Sequence, residues 1–256
     1  MQAWAIANQK GGVGKTTTTL FLARGLAQAG HRVLLVDLDP HASLTRAFGV
    51  ASDPPPSGSH DVFASNASLV SVARSTEVEG LSLVAAQPAL ATLERRGATQ
   101  PGLGLALGRA LHAAQSHYDH VLMDCPPTLG LLMINALAGA DRLVVPTQTD
   151  PLALHGVADM LRTAEMVERS RRRTLPGFVL PTLFDRRTRS GTESLDVMNQ
   201  RYEGRVCPIA VPMDTRLRDA NSLASSIAPT GRGAAAYARA LEWLLAQANN
   251  AQRLAA

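Results

Sequence analysis

Residues 10–17 read Lys-Gly-Gly-Val-Gly-Lys-Thr-Thr, residue types and spacing suited to wrapping a polyphosphate. Such a site needs several backbone N–H groups aimed at one point, which glycine permits, and a helix N-terminus behind them. Gly11, Gly12, Val13 and Gly14 offer those amides, joined by Lys15, Thr16 and Thr17. Lys15 is expected to reach the β- and γ-phosphates, and the Thr16 hydroxyl to ligate magnesium. The fit to G-x-x-x-x-G-K-[ST] is imperfect, because Gln9 stands where the first glycine belongs and a lysine follows at position 10. Lys10 and Lys15 are the only lysines in the chain; every other basic residue is arginine. A compact ammonium differs from a planar guanidinium in size and reach. This loop therefore calls for an ammonium twice.

Carboxylates end two apolar runs. Val33–Asp39 closes on Asp37 and Asp39 before Pro40, and His120–Asp124 closes on Asp124 before Pro126-Pro127. Period-two spacing turns Asp37 and Asp39 to one side. In an open parallel sheet ligands sit beyond the C-terminal strand ends, so these carboxylates belong near the phosphates. The bland alternative is a polar strand end running into a turn. Cys125 and Cys207 lack C-x-x-C spacing and read as buried thiols. His41, after Asp39-Pro40, reads as a turn histidine, and the other histidines do not cluster.

The elements that must position these groups alternate. Strands are expected at 3–8, 33–38, 81–85, 120–124, 143–147, 177–182 and 206–211. Helices are expected at 15–29, 103–116, 131–137, 156–172, 190–202 and 234–248. Strand then helix, repeated, predicts an α/β fold with a doubly wound, mostly parallel sheet and helices on both faces. The tracts 53–59 and 97–104 read as surface loops. One domain over 1–256 is expected, without a helix-turn-helix module before the first strand.

Composition narrows the classes. The chain has 256 residues, enough for one large domain, and 4% aromatics, little material for base-stacking platforms. No apolar run is long enough to span a bilayer, and the N-terminus lacks the basic start of a signal peptide. Two cysteines fit a reducing cytoplasm. Charge is uneven: residues 1–159 carry a net of −2 and residues 160–256 a net of +6. The basic half makes nucleic acid a natural partner, against the alternative of a solvated arginine-rich face.

Asn8–Thr17 resembles, almost letter for letter, the opening of the ParA/MinD group of deviant Walker P-loop ATPases. The likeness continues through Asp37–Pro40, Asp124–Leu129, Asp185–Thr188 and Gly231–Gly233. It implies ATP and Mg²⁺ as cofactors, and a homodimer that sandwiches ATP when nucleotide binds. Lys10 would cross to the partner's ATP, as an arginine finger does. Asp39 would stand on the attacking water, Asp37 near the magnesium, and Asp124 in the Walker B place on the metal. Thr182, Pro212 and Met213 would lie near the adenine. In relatives that bind DNA without sequence preference, arginines of two tracts contribute. Arg187 and Arg216 match those positions here, flanked by Arg186, Arg189 and Arg218. Arg171–Arg173 read instead as a helix C-terminus.

The resemblance implies slow, partner-stimulated ATP hydrolysis that positions cargo, in a cytoplasmic, nucleoid-associated or polar setting. The tracts Ala91–Arg95, Leu180–Thr188 and Asp214–Ala220 resemble the chemotaxis-associated ParC branch, which places chemoreceptor arrays. A chemotaxis-array adaptor would then be the partner. The alternative is plasmid or chromosome partition with a centromere-binding protein. Asp219-Ala220-Asn221 stands where those relatives carry glutamate-alanine-proline, which weakens that alternative. A MinD-like membrane switch needs a basic amphipathic tail. The tail 246–256 has one charge, so no membrane partner is expected. A cofactor-biosynthesis ligase on the same scaffold would need a second substrate pocket.

Overall fold

Successive side chains of a strand point to opposite faces, and here both faces are covered. The computed structural model describes residues 1–50, 55–96, 103–218 and 230–255. In β1 (Gln2–Ile6), Trp4 and Ile6 pack into one apolar layer and Ala3 and Ala5 into the other. The remaining strands are β2 (Val33–Asp37), β3 (Arg74–Ser75), β4 (Leu81–Val84), β5 (His120–Asp124), β6 (Arg142–Gln148) and β7 (Gly177–Thr182). They form one sheet in the order β3-β4-β2-β5-β1-β6-β7. Every pairing is parallel except β3 with β4.

Helices α1 (Lys15–Gln28) and α10 (Arg232–Ala255) cover one face, with Leu20, Leu22, Leu26, Tyr237, Leu241 and Leu244 in that layer. The other face is covered by α6 (Ala106–Ala113), α7 (Leu131–Gly139) and α8 (Ala153–Arg171). Short helices α2 (Ser43–Ala47), α3 (Ser59–Ala64), α4 (Leu69–Val72) and α5 (Leu90–Arg96) lie between strands, and α9 (Arg189–Arg201) follows β7. The doubly wound α/β fold expected from the alternation is therefore the fold observed. Among the described residues no helix is long and apolar enough to cross a membrane.

The seventh predicted strand, 206–211, is not one. The segment runs beside β7, and Cys207 N–H donates to Val179 O while Val211 N–H donates to Pro181 O. Only isolated bridges form, at Val206 and Pro212. Pro208 and Pro212 have no N–H, so a continuous ladder cannot close. Conversely β3 and α2–α5 form where no period marks them, because each is too short to show one. The 103–116 helix begins instead as a 3₁₀ turn, Leu103–Leu105. Asp53 and Pro54 of the first predicted loop, 97–102 of the second, Asp219-Ala220-Asn221 and the Arg218 side chain lie outside what is described, as do the side chains of 248–256.

Arg171 does cap a helix C-terminus, but chiefly another helix's. Its Nη1 donates to the carbonyls of Leu137 and Ala138, at the end of α7, and of Ala140 just beyond. Arg171→Ala strips partners from half-buried carbonyls and is expected to cost about 2 kcal/mol. A urea midpoint lowered accordingly, with the native far-ultraviolet circular dichroism unchanged, checks this.

Candidate functional site

The strand order places β1 between β5 and β6, where successive connections depart in opposite directions and a crevice opens at the C-terminal ends. Residues 10–17 occupy that crevice. Gly12 (φ 74°) and Gly14 (φ 87°) adopt left-handed conformations that other residues strain to reach, and Gly14 is the N-cap of α1. The loop is braced from three sides. Asn8 donates to Pro146 O and its Oδ1 accepts Lys10 N–H. Thr182 Oγ1 donates to Val13 O at 2.8 Å, committing its proton to the loop. Behind the loop, the Tyr237 and Thr18 hydroxyls meet at 3.0 Å.

A cleft of about 430 Å³ adjoins the loop. It is lined by Gly11, Gly12, Gly14, Lys15, Thr16 and Thr17, by Asp39, Ser43 and Pro127, and by a wall that includes Thr182, Pro212, Met213, Asp214 and Leu217. The residues expected at phosphates and at adenine thus share one cavity. Val13 is buried beneath it. Lys15 is 8% exposed and its Nζ donates to Lys10 O. Burial lowers its pKa, opposed by Asp124 and Asp39. Lys10 does not line the cleft. Its ammonium lies 3.9 Å from Asp150, with the side chain 36% exposed.

Asp37 and Asp124 are register neighbours on adjacent strands, and both are sealed from solvent. Thr16 Oγ1 donates to Asp124 at 2.7 Å. Asp37 accepts the Thr45 N–H and hydroxyl and the Asp39 N–H. Burial raises both carboxyl pKa values, and mutual repulsion raises Asp124 further. Asp39 lies beyond the end of β2, so strand alternation no longer relates it to Asp37. It lines the cleft and accepts from His41 N–H, with His41 Nδ1 at 2.9 Å. Sequence reasoning missed Thr45, which has no motif of its own and reaches Asp37 only through the fold.

Two sealed carboxylates beside a single ammonium are short of positive charge, and the donor set is hard oxygen. Both features suit a magnesium ion. Among the described residues no three His, Cys, Asp or Glu side chains could hold a metal by themselves. The burial has a pH consequence. Unfolded carboxyls titrate near pH 4, whereas these stay protonated to higher pH when folded. Their stabilisation is complete below that unfolded value and is lost as pH rises through the folded ones. The melting temperature of nucleotide- and metal-free protein should therefore fall between about pH 5 and pH 8. Asp124→Asn should flatten that slope; an unchanged slope would contradict it.

Both cysteines are buried and their thiol pKa values raised by burial, as structural thiols require. The arginines expected at DNA sit on two Asp-x-Arg turns. Asp185 takes Arg187 Nε and Nη2 at 2.9 and 2.7 Å, and Asp214 takes Arg216 Nε and Nη2, each at 3.0 Å. The arginine beside each carboxyl holds its pKa down at about 2. Phe184 pairs with Pro212, which sets the two turns side by side. Arg187 is 83% exposed; Arg189 pairs with Glu193; Arg186 is exposed. Arg216 instead packs on Gly231, where a Cβ would lie 2.5 Å from its guanidinium, and Asp214 also accepts Gly233 N–H. Arg216 thus clasps the approach to α10 as well as facing solvent.

Residues 1–176 match the protein family described as "AAA domain". The chain is 36% identical over 237 residues to the sporulation initiation inhibitor protein Soj of Bacillus subtilis, covering 91% of this chain and 94% of that protein. It is 39% identical over 254 residues to the chromosome-partitioning ATPase Soj of Thermus thermophilus, covering 96% of each. Among solved structures, cobyrinic acid a,c-diamide synthase of Mycobacterium smegmatis with bound ATP analogue and magnesium is 35% identical, covering 96% of this chain and 94% of that one, with a TM-score of 0.84.

Proposed function

The chain belongs to the AAA-domain family matched above and, within it, to the ParA/Soj P-loop ATPases, and from that premise we propose that it binds and hydrolyses Mg-ATP to segregate a chromosome or plasmid. The observation that carries the ATPase reading is the single cleft joining residues 11–17, Asp39 and the 212–214 wall. The Thermus thermophilus relative is a chromosome-partitioning ATPase, and partition replaces array placement as the first reading.

In this mechanism the amides of Gly11–Thr17 and the Lys15 ammonium hold the triphosphate. Thr16 and Asp124 would hold the magnesium, with Asp37, fixed by Thr45, on the neighbouring strand. Magnesium, when bound, offsets charge on the phosphate oxygens. Asp39 orients the attacking water, and Pro212 and Met213 face the nucleoside. Lys10, turned out of its own cleft, completes the cleft of a second copy, so ATP drives dimerisation. Turnover is slow until a partner stimulates it.

Titration calorimetry with a non-hydrolysable ATP analogue and Mg²⁺, with sedimentation of the same samples, tests this. Binding accompanied by dimer formation is expected; a chain that takes up no nucleotide removes the proposal. The diamide synthase likeness favours a second reading, an ATP-dependent amide-forming ligase. Phosphate release without any carboxylic acid or ammonia donor excludes it.

The dimer binds DNA through Arg187, Arg186 and Arg189, with Arg216 and Arg218 alongside, by phosphate contacts that are salt-sensitive and blind to sequence. Arg187→Glu is expected to abolish a gel shift with random DNA while Mg-ATP affinity stays constant. Arg187 is the cleaner probe, because Arg216 also packs on Gly231 at the approach to α10. An unchanged shift would refute the assignment. The cargo partner is a centromere-binding protein. Recovery of a chemotaxis-array adaptor in its place would restore the ParC-like reading, which rests on the 91–95, 180–188 and 214–220 tracts.

A further inference from the structure

Helix α7 starts at Leu131, with no side-chain cap from its N-cap Gly130 and no acid in its first turn. First-turn N–H groups need acceptors, and a negative charge there is favourable. Glu94 supplies both from α5. Its Oε2 accepts Leu132 N–H at 3.1 Å, and its Oε1 takes the Thr128 hydroxyl at 3.4 Å. Gly130 makes room: a Cβ there would lie 2.2 Å from Glu94 Oε1. Gly130 has an extended backbone that any residue can adopt (φ −142°), so the glycine serves the carboxylate and not the turn.

The segment so held, 126–130, joins Asp124 to α7, and its Pro127 lines the nucleotide cleft. The body that holds it is also tied to the site. Leu90 of α5 is fully buried, and the Ala86 N–H ahead of α5 donates to Thr45 Oγ1, whose proton goes to Asp37. One side chain therefore fixes the segment after Asp124 relative to the mount of Asp37.

We infer that Glu94 is a positioning residue for the hydrolytic step, keeping 126–130 in register with the cleft without touching nucleotide. This rests on the ATPase reading above. Glu94→Ala should lower kcat on the order of tenfold to a hundredfold, as small misplacements do, with Mg-ATP affinity within about threefold of wild type. Glu94→Gln should recover most of the loss, since its amide oxygen still accepts Leu132 N–H. Gly130→Ala should mimic Glu94→Ala by pushing the carboxylate aside, and the double variant should be no worse than either alone. Hydrogen exchange at the Leu132 amide should quicken in both single variants.

Wild-type kcat in Glu94→Ala, or fully additive losses in the double variant, would overturn the inference. Should Glu94→Ala fail to fold, Gly130→Ala against Glu94→Gln decides by the same criteria. A wild-type chain without ATPase activity counts against the function proposed above; active wild type with unaffected variants counts against Glu94 alone.

Discussion

Lys10→Ala should lower ATP turnover by about three orders of magnitude while single subunits still bind nucleotide. A cation supplied across an interface to a developing phosphoryl charge is worth on the order of 10³–10⁵ in rate. The geometry separates the two lysines. Lys15 is nearly buried in the lining of the cleft, whereas Lys10 does not line it and sits beside Asp150. Exposed ion pairs of that length contribute little, so Asp150 releases the ammonium cheaply to a second copy. Phosphate release and sedimentation with Mg-ATP, measured on the same variant, check this. Undiminished turnover by a monomeric Lys10→Ala chain would show that hydrolysis is complete within one subunit.

Asp39→Asn should separate binding from hydrolysis. The three carboxylates are not equivalent. Asp37 is committed to Thr45 and the Asp39 amide, and Asp124 accepts from Thr16. Asp39 alone of the three lines the cleft. A positioned base contributes typically 10²–10⁴-fold, so kcat should fall within about that range. Asparagine keeps the size and an acceptor for the His41 amide, so the local turn should persist. Mg-ATP then accumulates unhydrolysed, and dimers should outlast those of wild type. Single-turnover phosphate release with sedimentation measures both effects. Loss of nucleotide binding in this variant would instead move Asp39 among the ligands.

Much of the site was legible along the chain because its rules are local. Gly12 and Gly14 reflect a backbone demand of two or three residues. The runs ending at Asp37 and Asp124 are buried on both faces, so an uninterrupted apolar string announces them. Even the failed strand at 206–211 had its reason in view, in Pro208 and Pro212. The family likeness added an expectation that spacing does not carry, a lysine acting in trans.

What chain order concealed lies in contacts between distant residues. Thr182 holds the Val13 carbonyl across a separation of 169 positions, and Glu94 holds Leu132 across 38. Arg171 ends a helix other than its own, and Arg216 is occupied by a glycine loop as well as by solvent. Glutamate, arginine and threonine are ordinary surface residues to any window of ten. Backbone dihedrals and strand alternation are decided by near neighbours, so this chain's glycine loop and the six longer strands of its sheet were written in its sequence. Which carboxylate is sealed, which lysine faces outward and which side chain braces the loop depend on packing of the whole, and only the tertiary structure decides them.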